Sequence, residues 1–340
     1  MKTRVAVVGA GYFGQFHYDA WSRMQDVEIV ALAAPEGGTQ TAARFAVPAV
    51  FSAAADMIEQ VRPDLLDITA PPEAHLGIIR AAAPSVPWII CQKPFCGGLA
   101  GAEEAIAIAE ASDARVLVHE NFRFQPWYRA IKAMLDTGRL GDVWQATFRL
   151  RPGDGQGPDA YLSRQPYFQK MPRFLVHETA IHWIDTFRYL LGEITAVSAD
   201  LRRLNPAIAG EDAGVVVMAF ASGARALFDG NRLADHEAQN RRLTMGEMEI
   251  EGSAATLRLA GDGAIHVREH GRNDWAEHSY QWRDHLFGGD CVSATCRSCL
   301  ESLRSGEPAE TEAAVYIRNV EIVEAVYRSD QERRWIDVAA

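Results

Sequence analysis

The sequence has few cysteines and a shortage of positive charge, and both shortages exclude classes of protein. Five cysteines among 340 residues is a low and odd number, so a disulfide framework is not expected. Acidic residues outnumber Lys and Arg by 45 to 34, which gives a formal net charge of −11. Because an acidic surface repels phosphate backbones and anionic lipids, nucleic acids and membranes are not expected partners.

Long apolar runs, internal repeats and low-complexity segments are also lacking. No apolar run approaches the roughly 20 residues that a membrane-spanning helix needs. The apolar stretch that starts at Val5 ends at Gly9, which is too soon for the hydrophobic region of a signal peptide. We therefore expect a cytoplasmic protein. Its 340 residues, 48% of them hydrophobic, predict two domains with sizeable cores.

Two patterns resemble metal sites without meeting their requirements. Cys296 and Cys299 have the spacing of a ligand pair, but a structural zinc site needs a second pair, and the sequence has none. His177 and His182 lie five residues apart, whereas the zinc protease motif needs histidines four apart on one helical face. The sequence therefore predicts no metal site, and the cysteines are interpreted as small buried helix residues.

Short apolar runs alternate with helical stretches in the first third of the chain. Their composition is that of buried strands, and strand–helix alternation predicts a doubly wound, parallel α/β sheet. The clearest helical stretch covers Gly98–Glu110. The predicted strands are Arg4–Val8, Val27–Ala33, Leu65–Thr69, Trp88–Cys91 and Arg115–Val118.

The pattern changes after Asn121, where a predicted helix over Trp127–Asp136 is followed by successive strands. Dipeptides of the hairpin-turn type separate some of them. This region predicts an α+β domain with an open, mostly antiparallel sheet and helices on one face. A glycine-rich segment, Pro152–Pro158, is predicted to be a flexible loop over a site. The predicted strands are Val143–Leu150, Ile194–Leu204, Val215–Phe220, Ala224–Asp229 and Leu243–Glu251.

A glycine motif follows the first predicted strand and opens a helix. Gly9, Gly11 and Gly14 form the pattern G-x-G-x-x-G. The first glycine permits a tight turn, the second lets a pyrophosphate approach the backbone, and the third allows close helix–strand contact. The helix N-terminus offers free N–H groups to the phosphates. The motif predicts a dinucleotide-binding Rossmann domain in residues 1–121, and residues 122–340 are then predicted to form the second domain. The family resemblance described below implies that this second domain binds substrate and forms oligomers.

The acidic residue that commonly binds the adenosine ribose is missing. It is expected about 20 residues after the motif, at the end of the second strand, where the chain has Ala34. Glu36 could take its place from the following loop. No Lys or Arg adjoins Ala34 to hold the 2′-phosphate of NADP, and the nearest candidate is Arg44. The sequence therefore favours NAD over NADP.

Several ordered motifs together resemble the Gfo/Idh/MocA oxidoreductases over nearly the whole chain. Besides the glycine motif, they are Asp67–His75, Gln92-Lys93-Pro94, Glu178–Asp185 and Val320–Asp330. The resemblance implies a nicotinamide-dependent dehydrogenase of a carbohydrate, with a homodimer or homotetramer formed through the open sheet. Three residues depart from the family pattern: Ala34 and Gln92 replace acidic residues, and Glu178 replaces an aspartate.

The resemblance also implies which residues form the site. Lys93, Glu178 and His182 are expected to be catalytic. The expected substrate-binding residues are Lys93, Asn121, Arg123, Arg173, His177, Glu178 and His182. The expected cofactor-binding residues are Gly9, Gly11, Tyr12, Phe13, Gly14, Glu36, Pro71, His75, Gln92, Lys93, Arg164 and Gln165.

The chemistry of alcohol oxidation suits the three catalytic residues. His182 can act as the base, because a histidine with an ordinary pKa of about 6.5 exchanges protons near neutrality. Lys93 can stabilise the negative charge that develops on the substrate oxygen. Glu178 can orient His182, because residues four apart share a face of a predicted helix that also includes Asp185.

Arginines near the expected site favour a sugar acid over a neutral sugar or polyol, because arginine binds carboxylates bidentately. Arg123 follows a predicted strand, while Arg164 and Arg173 precede the histidine helix. Two other functions stay open. A glycoside hydrolase of the same fold would return its NAD unchanged, and a non-catalytic nucleotide-binding regulator would not need Lys93, Glu178 and His182.

Overall fold

A computed structural model describes residues 2–338, which form two compact units. The first unit contains the chain up to Asn121 together with Val292–Val320, and the second contains Phe122–Cys291 and the chain from Glu321. The sequence places all of residues 122–340 in one domain, whereas Val292–Val320 packs with the first unit. Long-range contacts explain this difference, since Arg304 pairs with Asp26.

The first unit contains a parallel sheet of six strands in the order β3-β2-β1-β4-β5-β6, which confirms the predicted α/β fold. Its central strands are buried almost throughout, as expected where helices cover both faces. The strands are β1 (Thr3–Val8), β2 (Val27–Ala33), β3 (Val50–Phe51), β4 (Leu65–Ile68), β5 (Trp88–Gln92) and β6 (Arg115–His119). The helices are α1 (Gly14–Ser22), α2 (Gly38–Phe45), α3 (Ala54–Val61), α4 (Pro72–Ala82) and α5 (Leu99–Ser112).

The second unit contains a nine-stranded sheet in the order β14-β13-β12-β11-β7-β10-β9-β8-β15. Among the described strands of this sheet, only β7 and β10 pair in parallel, so the predicted mostly antiparallel sheet is confirmed. One face packs on helix α7, where Trp183 stacks on Phe148 at 4.2 Å between ring centroids. The strands are β7 (Val143–Leu150), β8 (Ile194–Arg202), β9 (Ala213–Phe220), β10 (Arg225–Asn231), β11 (Gly246–Gly252), β12 (Ala255–Leu259), β13 (Ile265–Glu269), β14 (Ala276–His278) and β15 (Ile336–Asp337).

The remaining helices include one irregular turn. Helices α6 (Pro126–Asp136) and α7 (Ile181–Leu191) lie in the second unit, and a π-helix, Leu175–Ala180, leads into α7. Helix α8 (Cys291–Ser305) belongs to the first unit from Val292 onward, and α9 (Ala313–Glu332) contributes residues to both units. Across residues 2–338, no helix is both long and apolar enough to cross a membrane.

The glycine-rich segment Pro152–Pro158 is not the flexible loop that its composition predicts. The Gly155 N–H donates to the Arg232 carbonyl at 3.0 Å. The Asn205 side-chain amide donates to the carbonyls of Gly155 and Gly157 at 2.7 and 2.8 Å. These bonds hold the segment against β10 and the loop after β8, because the backbone groups that glycines expose find partners within the unit.

Candidate active site

The glycine motif forms a tight turn between β1 and α1. Gly9 has a φ of +117°, and a Cβ atom there would lie 2.7 Å from Thr69 Oγ1. A Cβ at Gly14 would lie 2.9 Å from the same atom, so both glycines are needed for the chain to pack against the end of β4. The Tyr18 hydroxyl donates to the Gly9 carbonyl at 2.8 Å, which holds the turn on the helix.

Gly11 differs from the other two glycines because its surroundings are open. A Cβ atom at Gly11 would have no neighbouring atom of the described chain within 4 Å. Protein packing therefore does not explain a glycine here, whereas the approach of a ligand to the backbone does. The turn, this open position and the helix that begins at Gly14 suit the pyrophosphate of a dinucleotide.

The other expected cofactor residues of the first unit differ in exposure. Pro71 immediately precedes α4, and Tyr12 and Glu36 are exposed. His75 is fully buried with its Nε2 2.8 Å from the Ala70 carbonyl, and burial lowers its pKa. Arg44 donates to Gln15 Oε1 at 3.2 Å; thus the nearest candidate for a 2′-phosphate contact already has a partner.

Gln92, at the end of β5, has its side-chain amide directed into the unit. Its Oε1 accepts the backbone N–H of Lys93 at 2.8 Å. Its Nε2 lies 3.0 Å from His17 Nε2 and 3.4 Å from His119 Nδ1. Both N–H groups of the amide therefore have partners within the chain, and the second lone pair of Oε1 is the position from which Gln92 can bind a ribose hydroxyl.

His182 lies in the first turn of α7, where its side chain is largely buried. Its ring stacks on Phe122 at 3.8 Å between centroids with 5° between the planes. Glu178 lies in the preceding π-helix rather than in the same α-helix. The prediction of one continuous α-helical face from Glu178 to Asp185 is therefore wrong, because a π-helix turns by a smaller angle per residue.

Arg232, which lies outside the sequence motifs, contacts several groups near Glu178. Its side chain is 2% exposed. It pairs with Asp154 at 2.9 Å and lies 3.6 Å from Glu178 Oε2. It also donates to Thr179 Oγ1, which in turn donates to Glu178 Oε2 at 2.6 Å. Glu178 thus lies beside a fixed positive charge.

The three arginines expected near the substrate each pair with a different carboxylate of the chain. Arg123 makes a bidentate pair with the buried Asp185, at 2.6 and 2.7 Å. Arg173 makes a bidentate pair with Glu324 at 2.8 and 3.0 Å, and Arg164 pairs with Asp154 at 3.1 Å. Each arginine therefore has a carboxylate of its own unit as a partner, in place of the substrate carboxylate that the sequence suggests.

The remaining expected residues have partners or burial within their own units. Asn121 is fully buried after β6. The backbone N–H of His177 donates to the Tyr327 hydroxyl at 3.2 Å, and the Gln165 amide donates to the Tyr167 hydroxyl at 3.0 Å.

One signal in the sequence could have revealed the buried polar groups that contact Gln92. Asp67 lies within the apolar strand β4, and a buried carboxylate needs hydrogen-bond partners.

Two family models match the chain. The model of the oxidoreductase family with an NAD-binding Rossmann fold matches residues 3–120. The model of the Gfo/Idh/MocA C-terminal domain matches residues 128–258. The D-apiose dehydrogenase of Paraburkholderia graminis is 30% identical over 98% of this chain and 89% of the relative. That of Rhizobium rhizogenes is 28% identical over 98% and 97%.

Solved structures give the same result for the fold. An oxidoreductase from Agrobacterium radiobacter in complex with NAD⁺, L-tartaric acid and magnesium has a TM-score of 0.89 and 26% identity, over 99% of this chain and 98% of that one. A levoglucosan dehydrogenase in complex with NADH and levoglucosan has a TM-score of 0.86 at 20% identity, over the whole of both chains.

Proposed function

Since the chain belongs to the Gfo/Idh/MocA oxidoreductase family and is an NAD-dependent oxidoreductase, we propose that it oxidises a hydroxyl-bearing carbon of a carbohydrate. The observation that carries this proposal is the alignment of two D-apiose dehydrogenases with 98% of the chain. The presence of Lys93, Glu178 and His182 together supports a catalyst over a nucleotide-binding regulator, which has no use for them.

The proposed roles follow from the chemistry of each group. NAD, when bound, accepts the hydride from the carbon. Gly9, Gly11 and Gly14 hold its pyrophosphate through the backbone. His182 takes the hydroxyl proton, and Lys93 stabilises the negative charge on the oxygen. Glu178, beside Arg232, supplies a carboxylate of fixed orientation next to the histidine helix.

A neutral sugar is the substrate that we favour. Arg123 and Arg173 already hold carboxylates bidentately. To bind a substrate carboxylate, Arg123 would have to leave Asp185, which has no exposed surface, and an unpaired buried charge costs about 3–5 kcal/mol. D-apiose, after which the two relatives are named, is also uncharged. A sugar acid is the second candidate, because the Agrobacterium radiobacter structure contains L-tartaric acid.

A matched substrate series tests the proposal. NADH formation is followed with the aldose, alditol, aldonate and lactone of one carbon skeleton, starting with D-apiose. We expect the neutral members to have a higher kcat/KM than the aldonate, and NAD to be preferred to NADP. A clear preference for the aldonate would instead assign an acidic substrate. If no member reduces NAD in stoichiometric amounts while a glycoside is hydrolysed, the oxidoreductase proposal fails in favour of an NAD-dependent hydrolase.

A further inference from the structure

Gln92 is the centre of a buried polar chain in the first unit. Asp67, His17 and His119 are fully buried, as is Cys296 of α8. His17 Nδ1 lies 2.8 Å from Asp67 Oδ2, to which Trp21 Nε1 donates at 2.6 Å. At the other end, Cys296 Sγ lies 3.6 Å from His119 Nε2. A chain of hydrogen-bonded side chains thus runs from Asp67 through His17, Gln92 and His119 to Cys296.

Only one arrangement of hydrogens satisfies the centre of this chain. The Lys93 backbone N–H can only donate, so the Gln92 atom that faces it must be the carbonyl oxygen Oε1. The two N–H groups on Nε2 then donate to His17 Nε2 and His119 Nδ1, which must both be acceptors. His17 therefore carries its hydrogen on Nδ1, and His119 carries its hydrogen on Nε2.

The groups at both ends of the chain agree with this arrangement. The His17 Nδ1–H faces an Asp67 carboxylate oxygen, which accepts. The His119 Nε2–H faces the sulfur of Cys296, and burial raises the pKa of this thiol well above its ordinary value, which leaves it neutral. Donors and acceptors thus alternate along the hydrogen bonds from Asp67 to Cys296.

From this geometry we propose that His17 and His119 are positioning residues for Lys93. They hold the Gln92 amide in one orientation, and the amide holds the backbone N–H of Lys93. The proposal rests on the proposed function in so far as Lys93 takes part in the reaction. It also requires an amide at residue 92: a carboxylate has no N–H to donate, although its size is nearly the same.

The substitution Gln92→Glu tests this requirement for an amide. The introduced carboxylate would face His17 Nε2, while Asp67 faces His17 Nδ1, so that both ring nitrogens have to donate and His17 takes up a proton. The titratable groups around His17 are then Asp67 on β4, His119 on β6, Cys296 on α8 and the introduced carboxylate on β5. In this variant, the introduced negative charge favours the protonated form of the His17 ring.

The sign of the resulting pH dependence is fixed. Because the folded variant favours the protonated ring, the stabilising contribution is present at acidic pH and is lost as the pH rises. In urea unfolding, the midpoint of Gln92→Glu should fall relative to wild type as the pH is raised. The kcat of this variant should be lower by about tenfold, as for one lost buried hydrogen bond, and should fall further as the pH is raised.

Three further measurements decide the assignment. In wild type, ¹⁵N-detected histidine spectra should show neutral His17 with hydrogen on Nδ1 and neutral His119 with hydrogen on Nε2. The double variant Gln92→Glu/His17→Gln should lose the pH-dependent difference, because it lacks the titrating ring. Gln60→Glu, an exposed substitution on α3, should match wild type in both assays.

The opposite tautomers, a stoichiometric metal ion bound by the histidines of purified wild type, or an unchanged pH profile in Gln92→Glu would overturn the proposal. So would wild-type kcat in Gln92→Glu. If the tautomers and the stability profile agree but no carbohydrate reduces NAD, the proposed function fails while the assigned hydrogen-bond chain stands. If turnover is found but the tautomers are reversed, the function stands and the positioning role fails.

Discussion

At the scale of single residues, Lys93 and His182 carry different parts of the proposed reaction. Lys93→Ala removes a positive charge beside the developing oxyanion, and His182→Ala removes the base. Each should lower kcat by about 10²-fold or more, as found for lost electrostatic stabilisation or a lost positioned base. Steady-state kinetics with the best substrate of the series measures the effect.

The affinity for NAD provides the control for these two variants. Calorimetric titration should give His182→Ala nearly the wild-type Kd for NAD, because His182 lies in the second unit and most of the NAD-binding residues are expected in the first. Glu178→Gln should lose less activity than His182→Ala, since its amide oxygen would still be an acceptor for the orienting hydrogen bond that we propose between residue 178 and the ring. Wild-type turnover in His182→Ala would exclude this residue as the base.

At the scale of secondary-structure elements, two glycines of the turn between β1 and α1 have different roles: Gly9 is needed for folding, and Gly11 is expected to be needed for cofactor binding. Gly9→Ala would bring a Cβ atom to within 2.7 Å of Thr69 Oγ1 at a φ of +117°, which strains the turn. We expect it to destabilise the fold by more than about 1 kcal/mol. Gly11→Ala meets no atom of the described residues within 4 Å and should leave the stability nearly unchanged.

The contrast between these variants is measured by unfolding and by NAD titration. Gly11→Ala should keep the wild-type Tm but weaken NAD binding by about tenfold or more, because the added methyl group occupies space that the pyrophosphate needs. If Gly11→Ala binds NAD as wild type does, the pyrophosphate does not approach the backbone at this position.

The segment after β7 contributes stability through the Asp154–Arg232 pair. Burial raises the pKa of Asp154, but the charges of Arg232 and Arg164 outweigh it and hold the pKa below its ordinary value. The stabilisation is therefore present above about pH 4 and lost as the pH falls through the folded-state pKa. Asp154→Asn removes the nearer of the two carboxylates beside the buried Arg232 and leaves only Glu178, at 3.6 Å. It should cost about 3 kcal/mol at pH 7.

Chemical denaturation at several pH values tests this contribution. The difference between wild type and Asp154→Asn should shrink on acidification below about pH 4. Asp235→Asn is the matched control, because Asp235 and its partner Arg241 are both half exposed and such a pair contributes less than about 1 kcal/mol. Equal losses in both variants at pH 7 would contradict the importance of the buried pair.

At the scale of the whole molecule, we expect one face of the nine-stranded sheet to form the interface between copies of the protein. Val215, Val217 and Leu227 point to this face from neighbouring strands, and Leu227 pairs with Val217 in the register. Their side chains are partly exposed. Partly exposed apolar side chains that adjoin one another on a sheet face suit an interface with a second copy, so we predict a homodimer or homotetramer formed through this face.

Light scattering after size-exclusion chromatography measures the oligomeric state. Wild type should have two or four times the mass of the chain. Val217→Glu should shift the mass toward that of one chain, because it places a charge in the predicted interface. Val315→Glu changes another exposed valine, on α9, and should leave the mass unchanged. A monomeric wild type would contradict the prediction.

The sequence by itself determined the type of each sheet, parallel or mostly antiparallel, and the glycine turn, but not strands β12 to β15. Strand β2 and strand β7 begin and end where their apolar and alternating patterns predict. The reason is that the burial of a strand follows from the order of apolar and polar residues within the strand itself. The G-x-G-x-x-G motif likewise predicts its tight turn, since the positive φ at Gly9 depends on that residue being glycine. Strand β3, with two residues, is too short to leave such a pattern.

The tertiary structure alone decided which charges meet. Arg123 pairs with a carboxylate 62 residues away, Arg173 with one 151 residues away, and Arg232 with Asp154 78 residues away. No local pattern records such pairs, because the folded chain brings together elements that are distant in sequence. The same reason applies to Val292–Val320 and to the hydrogen-bond chain behind Gln92: buried polar groups take whichever partner the packed elements place beside them.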